Sequence, residues 1–162
     1  MKLLYISSIL RTNSFGEVSQ KLIKLLLKST DWNIYLFHIN TTKTYAKQEM
    51  NNFPGIKDIK YVPDYKKQRN KDHKNFSNIY TNGIFHLRKY VLEINPDVII
   101  TLHNDKQTWM YSKILNDMRD VWKGKFMPYI PMDFTHSIRS YLHKGFNVDA
   151  LLTMNEWRKQ QV

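Results

Sequence analysis

The chain contains no cysteine. Disulfide cross-links, thiolate nucleophiles and Cys-ligated zinc are thereby excluded together, and the composition fits a reducing compartment. A long hydrophobic run is missing as well. The most apolar stretch, residues 97–102 with Val98-Ile99-Ile100 at its centre, is far too short to span a bilayer. The N-terminal run Leu3-Leu4-Tyr5-Ile6 meets Arg11, Asn13 and Gly16 before a signal-like region develops, and no small-residue cleavage site follows. Acidic residues are few: 14 against 25 lysines and arginines, a net charge of +11. Such a surplus attracts nucleic acid, anionic lipid surfaces or phosphorylated ligands, and lysines concentrate between residues 57 and 74. No RNP-like, helix-turn-helix or zinc-finger pattern accompanies the charge, so it supports an attraction to polyanions but not a role, and the lysine cluster reads equally as a solvated loop or edge.

What is present is the material of one domain. The 162 residues are 42% hydrophobic and 14% aromatic, enough apolar matter for a single sizeable core. No internal repeat appears, and no low-complexity tract beyond a Lys/Asn bias. Residues 1–8 read as a buried strand. Ser14 can cap a helix with Glu17 as its capping-box partner, and Gly16 opens the stripe Val18, Leu22, Ile23, Leu25, Leu26, whose spacing is helical. Residues 33–39 form a second strand. Residues 60–63 give a short one that Pro63 confines to an edge or an end, and a charged loop over 64–75 follows. A helix is expected over 78–94, with Ile79, Phe85, Leu87, Val91, Leu92 and Ile94 as its apolar stripe and Gly83 in its middle. Asn95-Pro96 closes it, because the residue before proline avoids the helical region.

The second half alternates regularly. Residues 97–102 are a strand covered on both faces, and 106–122 a helix with Trp109, Met110, Ile114, Met118 and Val121 apolar. Residues 125–131 form a strand, 135–142 a short helix, 148–154 a last strand, and a helix begins at Asn155. Buried strands alternating with amphipathic helices imply right-handed crossovers. The expected fold is therefore α/β, doubly wound around a mainly parallel sheet in a three-layer sandwich.

Open parallel sheets bind ligands in the crevice beyond the carboxyl ends of their strands. At those ends stand residues 7–16, His103-Asn104-Asp105, Asp133 with His136, and Asn155-Glu156. Gly16 is either a turn glycine or a place where a phosphate approaches helix N–H groups. A single glycine matches neither the dinucleotide fingerprint nor the P-loop. His103 and Asp105 can orient a base or bind a metal. Asp133 can accept a proton from a substrate hydroxyl, as can His136, or Asp133 caps the next helix. Glu156 either serves a ligand or offsets a helix dipole. His38, His73, His86 and His143 show no metal-ligand spacing.

Several segments together resemble a known family. Pro128-Tyr129-Ile130-Pro131-Met132-Asp133, the later Val148-Asp149-Ala150-Leu151-Leu152-Thr153-Met154-Asn155-Glu156-Trp157, and Asn95-Pro96-Asp97-Val98-Ile99-Ile100-Thr101-Leu102-His103 are similar to the N-terminal half of retaining GT-B glycosyltransferases of family 4. The opening strand and Gly16 match the first strand and glycine loop of that family, although its paired glycines are reduced to one here and Asn155 stands where serine is usual. The resemblance implies a Rossmann-like domain over residues 1–162, equivalent to the acceptor-side half, with the second domain absent. It implies transfer of a sugar from a nucleotide-sugar donor to a sugar or protein acceptor, in partnership with a C-terminal donor-binding domain. His103 and Asp133 would then be catalytic. Gly16, Asn104, Asp105, His136, Asn155 and Glu156 would bind substrate, with Gly16 toward the donor phosphates. Neither a metal nor another cofactor is implied. The fragment alone is expected to show no turnover, since half the groups that stabilise the leaving diphosphate would be missing. A cytoplasmic location is expected, with a membrane-peripheral one as the alternative. The alternative is a non-catalytic module whose basic surface binds a polyanion or an anionic membrane.

Overall fold

The computed structural model describes residues 1–7, 14–41, 44, 48, 51–63, 83–130 and 148–152. They include five strands and three helices in the order β1 (Lys2–Ser7), α1 (Ser14–Ser29), β2 (Asn33–Thr41), β3 (Asp58–Pro63), α2 (Ile84–Ile94), β4 (Val98–Leu102), α3 (Asp105–Asn116) and β5 (Lys125–Tyr129), and between β2 and β3 Thr44, Gln48, Asn51 and Asn52 are helical as well. The strands form one sheet in the order β3-β2-β1-β4-β5, parallel throughout. This is the doubly wound α/β arrangement that the alternating pattern predicted. A parallel bridge from Tyr129 to Leu152 lays the chain along the outer edge of β5.

Alternation along the strands divides the core in two. In β1, Leu3 and Tyr5 face the layer that contains Ile23 of α1, whereas Leu4 and Ile6 face Leu87 and Val91 of α2 and Tyr111 and Leu115 of α3. Leu3, Leu4, Tyr5 and Ile6 are all fully buried. A continuous apolar run is what a parallel strand needs when helices cover both its faces. Proline also falls where the ladder tolerates it. Pro63 ends β3, an edge strand, and Asn95, in the left-handed region at φ 47°, closes α2 just before Pro96.

Several helix details differ from the sequence expectation. α1 starts at Ser14, so Gly16 lies within its first turn; the capping role expected of Ser14 rests on a side chain outside the described atoms. Leu25 is exposed rather than part of the apolar stripe, because it lies about 200° around the helix from buried Ile23. Gly83 is not mid-helix. It occupies the N-cap of α2 at φ 70°, a left-handed conformation that glycine adopts at no steric cost. Leu92 points outward as well. α3 ends at Asn116, six residues before the expected end at Trp122. Its buried row is Tyr111 and Leu115, continued through the following turn by Met118 and Trp122, and Val121 is exposed. The expected loop at 64–75, the start of the helix at 78–82, the helix at 135–142 and the helix from Asn155 lie outside the described residues.

Polar contacts tie the layers together. Lys60 of β3 reaches Glu93 of α2 at 2.6 Å and Asp58 at 2.9 Å. Glu93 and then Asp58 raise its pKa through these hydrogen bonds. An inward-facing charge of this kind also makes the β3 edge a poor template for pairing with another chain. At the other edge Asp149 clamps the returning chain. Its carboxylate accepts from the Phe126 N–H at 2.7 Å and from Arg119 at 2.8 Å, with Lys125 at 3.3 Å. Burial alone would raise this carboxyl group, yet the Arg119 and Phe126 bonds hold it below the ordinary value. No described helix is long and apolar enough to cross a membrane.

Candidate functional site

The sense in which successive strands are added to the sheet reverses between β1 and β4. The chain winds from β1 toward β3 on one side and from β4 toward β5 on the other. Connections leaving the carboxyl ends of these two central strands therefore part in opposite directions and open a crevice between them. Gly16, buried in the first turn of α1, flanks this crevice from one face. His103, the first residue after β4, flanks it from the other face, where its ring lies 5.7 Å from that of Tyr111 in α3.

Beneath the crevice the α1 face carries a chain of hydroxyl groups. Tyr5 donates to Ser19 at 3.1 Å, Ser19 and Ser7 share a 2.7 Å bond, and Ser7 donates to the Leu102 carbonyl at 3.3 Å. All three hydroxyl residues are fully buried. Directionality follows by elimination: with Tyr5 and Ser7 donating at the two ends, the Ser19 proton goes to Ser7. Burial pushes the Tyr5 hydroxyl well above its ordinary pKa, against the opposing pull of its Ser19 bond, so it remains a donor.

His38 pairs with Ser7 in the register, three residues before the end of β2. Dinucleotide-binding folds place an acid near this position to hold a ribose. His38 is instead a buried base, and desolvation lowers its pKa to about 4, so it is neutral at physiological pH.

The α2/α3 face of β4 presents two buried polar atoms, the Thr101 hydroxyl and Nε2 of His103, which have no hydrogen-bond partner among the described residues. Two residues apart on one strand end, they share a face. His103 is 4% exposed. Burial lowers its pKa to about 4, and a side-chain hydrogen bond with Gln107 works in the opposite direction. Leaving such atoms unpaired costs about 1–3 kcal/mol each, and sites for ligands are where proteins tolerate that cost.

Of the residues singled out from sequence, the fold brings Gly16, His103, Asn104 and Asp105 to this rim. Asn104 caps α3: its side-chain oxygen accepts from the Gln107 N–H at 3.0 Å. Asp105 is the first residue of the helix. Asp133, His136, Asn155 and Glu156 lie outside the described residues. Sequence reasoning passed over Ser19, His38, Thr101 and Gln107. The last was legible, because Asn104-x-x-Gln107 has capping-box spacing; His38 also continues the alternation of Ile34 and Leu36. Among the described residues no group of three or more potential metal ligands gathers.

No family model and no curated protein matches the chain. Among solved structures it is similar to UDP-GlcNAc 2-epimerase from Methanocaldococcus jannaschii. The match has a TM-score of 0.50 and 14% sequence identity over 94% of this chain. The chain spans 45% of the length of that protein. What the two share is a fold, with this chain corresponding to a Rossmann-like part of a GT-B-type protein.

Proposed function

We propose that this chain is the acceptor-side domain of a nucleotide-sugar enzyme, a family 4-like glycosyltransferase, and that it binds its sugar ligand in the crevice between β1 and β4. The observation that carries the proposal is the pair of unpaired buried atoms, Thr101 Oγ1 and His103 Nε2, at the carboxyl end of β4. Likeness to a nucleotide-sugar enzyme of the same fold supports the choice of ligand class. In this proposal His103 and Asp133 are the catalytic residues. Gly16 approaches the donor phosphates at the positive end of α1, and Asn104, Asp105, His136, Asn155 and Glu156 complete the substrate contacts. A second, donor-binding domain supplies the remaining wall of the cleft and the groups that stabilise the departing diphosphate.

Titration of the 15N-labelled chain with UDP-GlcNAc tests this. Amide signals of Gly16 and of residues 101–104 are expected to move together and to saturate. Absence of any change at both segments would refute the assignment. The second proposal, a basic module for a polyanion or membrane surface, draws on Lys21, Lys24 and Lys28, which are exposed around Leu25 on the outer side of α1. In that case anionic vesicles would shift the lysine-bearing face, and binding would weaken steeply with added salt.

A further inference from the structure

Thr101 stands where the strand asks only for valine. β4 reads Val98-Ile99-Ile100-Thr101-Leu102, and Thr101 is fully buried. In the register Ile6 of β1 lies on one side of it and Pro128 of β5 on the other, and Ile99 precedes it on the same face. The side chains of these three neighbours are carbon alone. Over them lie Leu87 and Val91 of α2 and Leu115 of α3, in one core cluster with Ile6 and Ile99. A buried threonine hydroxyl usually bonds a nearby carbonyl, as that of Thr108 does to Asn104 at 2.9 Å. Oγ1 of Thr101 has no such partner among the described residues. Valine has the same shape without the unpaired oxygen, so packing alone gives no reason for threonine here.

The next residue on this face is His103, one pleat nearer the mouth of the crevice. It too is buried, at 4% exposure, and its Nε2 has no partner among the described residues. Residues two apart on a strand are separated by about 6.6 Å. One oxygen atom within hydrogen-bond distance of both side chains spans such a gap. The charged side chains described on α2 and α3, those of Arg88, Lys89, Glu93 and Lys113, are exposed. The group that fits this dry place is therefore uncharged. A hydroxyl both donates and accepts, so it complements Nε2 in either tautomer and the Thr101 hydroxyl at once. A phosphate oxygen only accepts, and its charge would enter the interior with no described cation beside it.

We propose that Thr101 is a specificity-determining residue: its hydroxyl, together with Nε2 of His103, holds one hydroxyl group of the sugar ligand. This use rests on the sugar-binding function proposed above, whereas the unpaired oxygen is a property of the fold. Selectivity follows from the burial. A ligand without that hydroxyl leaves two interior polar atoms unpaired, and sites built in this way reject such analogues strongly.

Thr101→Val and Thr101→Ser test the assignment, because stability and binding should move in opposite directions. Without ligand, Thr101→Val should raise the thermal midpoint by about 3 °C, since an unpaired oxygen leaves the interior. The same variant should bind UDP-GlcNAc about tenfold more weakly, measured by titration calorimetry. Thr101→Ser keeps the hydroxyl and should bind within about twofold of wild type, although the lost methyl group lowers its midpoint. UDP, which lacks the sugar, should not distinguish Thr101→Val from wild type. A Thr101→Val protein that is less stable, or that does not fold, would reveal a partner for the hydroxyl within the protein and overturn the proposal. An equal loss of affinity for UDP would overturn it too. If wild type binds UDP-GlcNAc and Thr101→Val binds it equally well, the role of Thr101 falls alone; if wild type binds no UDP-GlcNAc, the sugar function falls and takes this role with it.

Discussion

Lowering the pH from 7 to 5 sets two interior imidazoles against the fold. His38 and His103 are each held at a pKa of about 4 by burial, against 6.5 in the unfolded chain. Both are depressed bases, so the unfolded state binds more protons between these values, and stability rises with pH across that window. Their neutrality is fully accommodated above pH 6.5, and the disadvantage of the folded state grows as the pH falls toward 4. From pH 7 to 5, a group with these two values loses about 2 kcal/mol, and the pair about 4 kcal/mol. Near pH 5.5 unfolding should take up close to two protons, roughly one for each ring. Asp149, whose carboxyl group is held below its ordinary value, loses its contribution only at lower pH and does not confuse the window. Urea denaturation at pH 7, 6 and 5 measures the slope directly. His38→Gln and His103→Gln should each remove about half of it, whatever they do to stability at neutral pH. A stability that stays flat or rises on acidification, or a slope untouched by both substitutions, would refute the claim that these rings are buried and neutral.

Other expectations concern the supports of the sheet. Trp122 donates from its indole to the Pro96 carbonyl at 2.7 Å in a fully buried contact. Trp122→Phe should lower the unfolding free energy by about 3 kcal/mol through the lost bond and the residual void, read by denaturation. Gly124 lies against the same pair: an added Cβ would come within 2.5 Å of the Pro96 oxygen and of the Trp122 ring. Gly124→Ala should therefore cost about 2 kcal/mol, and thermal unfolding should show it. Asp149→Ala should free the chain beside β5, detected as faster amide exchange at Phe126 and Leu152 while β1 and β2 remain protected. Ser7→Ala should destabilise by about 1–2 kcal/mol, because the Ser19 hydroxyl loses its acceptor in a dry environment.

The parallel sheet was legible because its strands announce themselves. Leu3 to Ile6 and Val98 to Leu102 are too short for helices and too uniformly apolar for one-sided strands, which leaves burial on both faces. Helix ends were harder. Gly83 resembled a weak point inside a helix because Phe85 and Leu87 continue the apolar spacing behind Ile79, and its left-handed backbone is a property of the fold. In α3 an apolar residue occurs at nearly every step from Trp109 to Ile114, so periodicity could not choose between neighbouring stripes; contact with β5 and α2 selects Tyr111 and Leu115. The rim was legible in outline, as positions following strands. Of the groups that give it chemical character, His103 was legible as the first residue after a strand, and the others were not. His38 and Thr101 carry no motif, and only their depth separates them from ordinary strand residues.

The hydroxyl chain from Tyr5 to the Leu102 carbonyl determines what lies under the crevice. Backbone pairing between β1 and β4 ends at Ile6 and Thr101, and beyond that point two diverging strands would ordinarily admit solvent between them. Ser7 bridges the gap one residue further on, and Ser19 and Tyr5 lock it from α1. Among the described residues the crevice thus has a floor tied by hydroxyl groups, and wedging the two central strands apart would break the bonds that join them to α1.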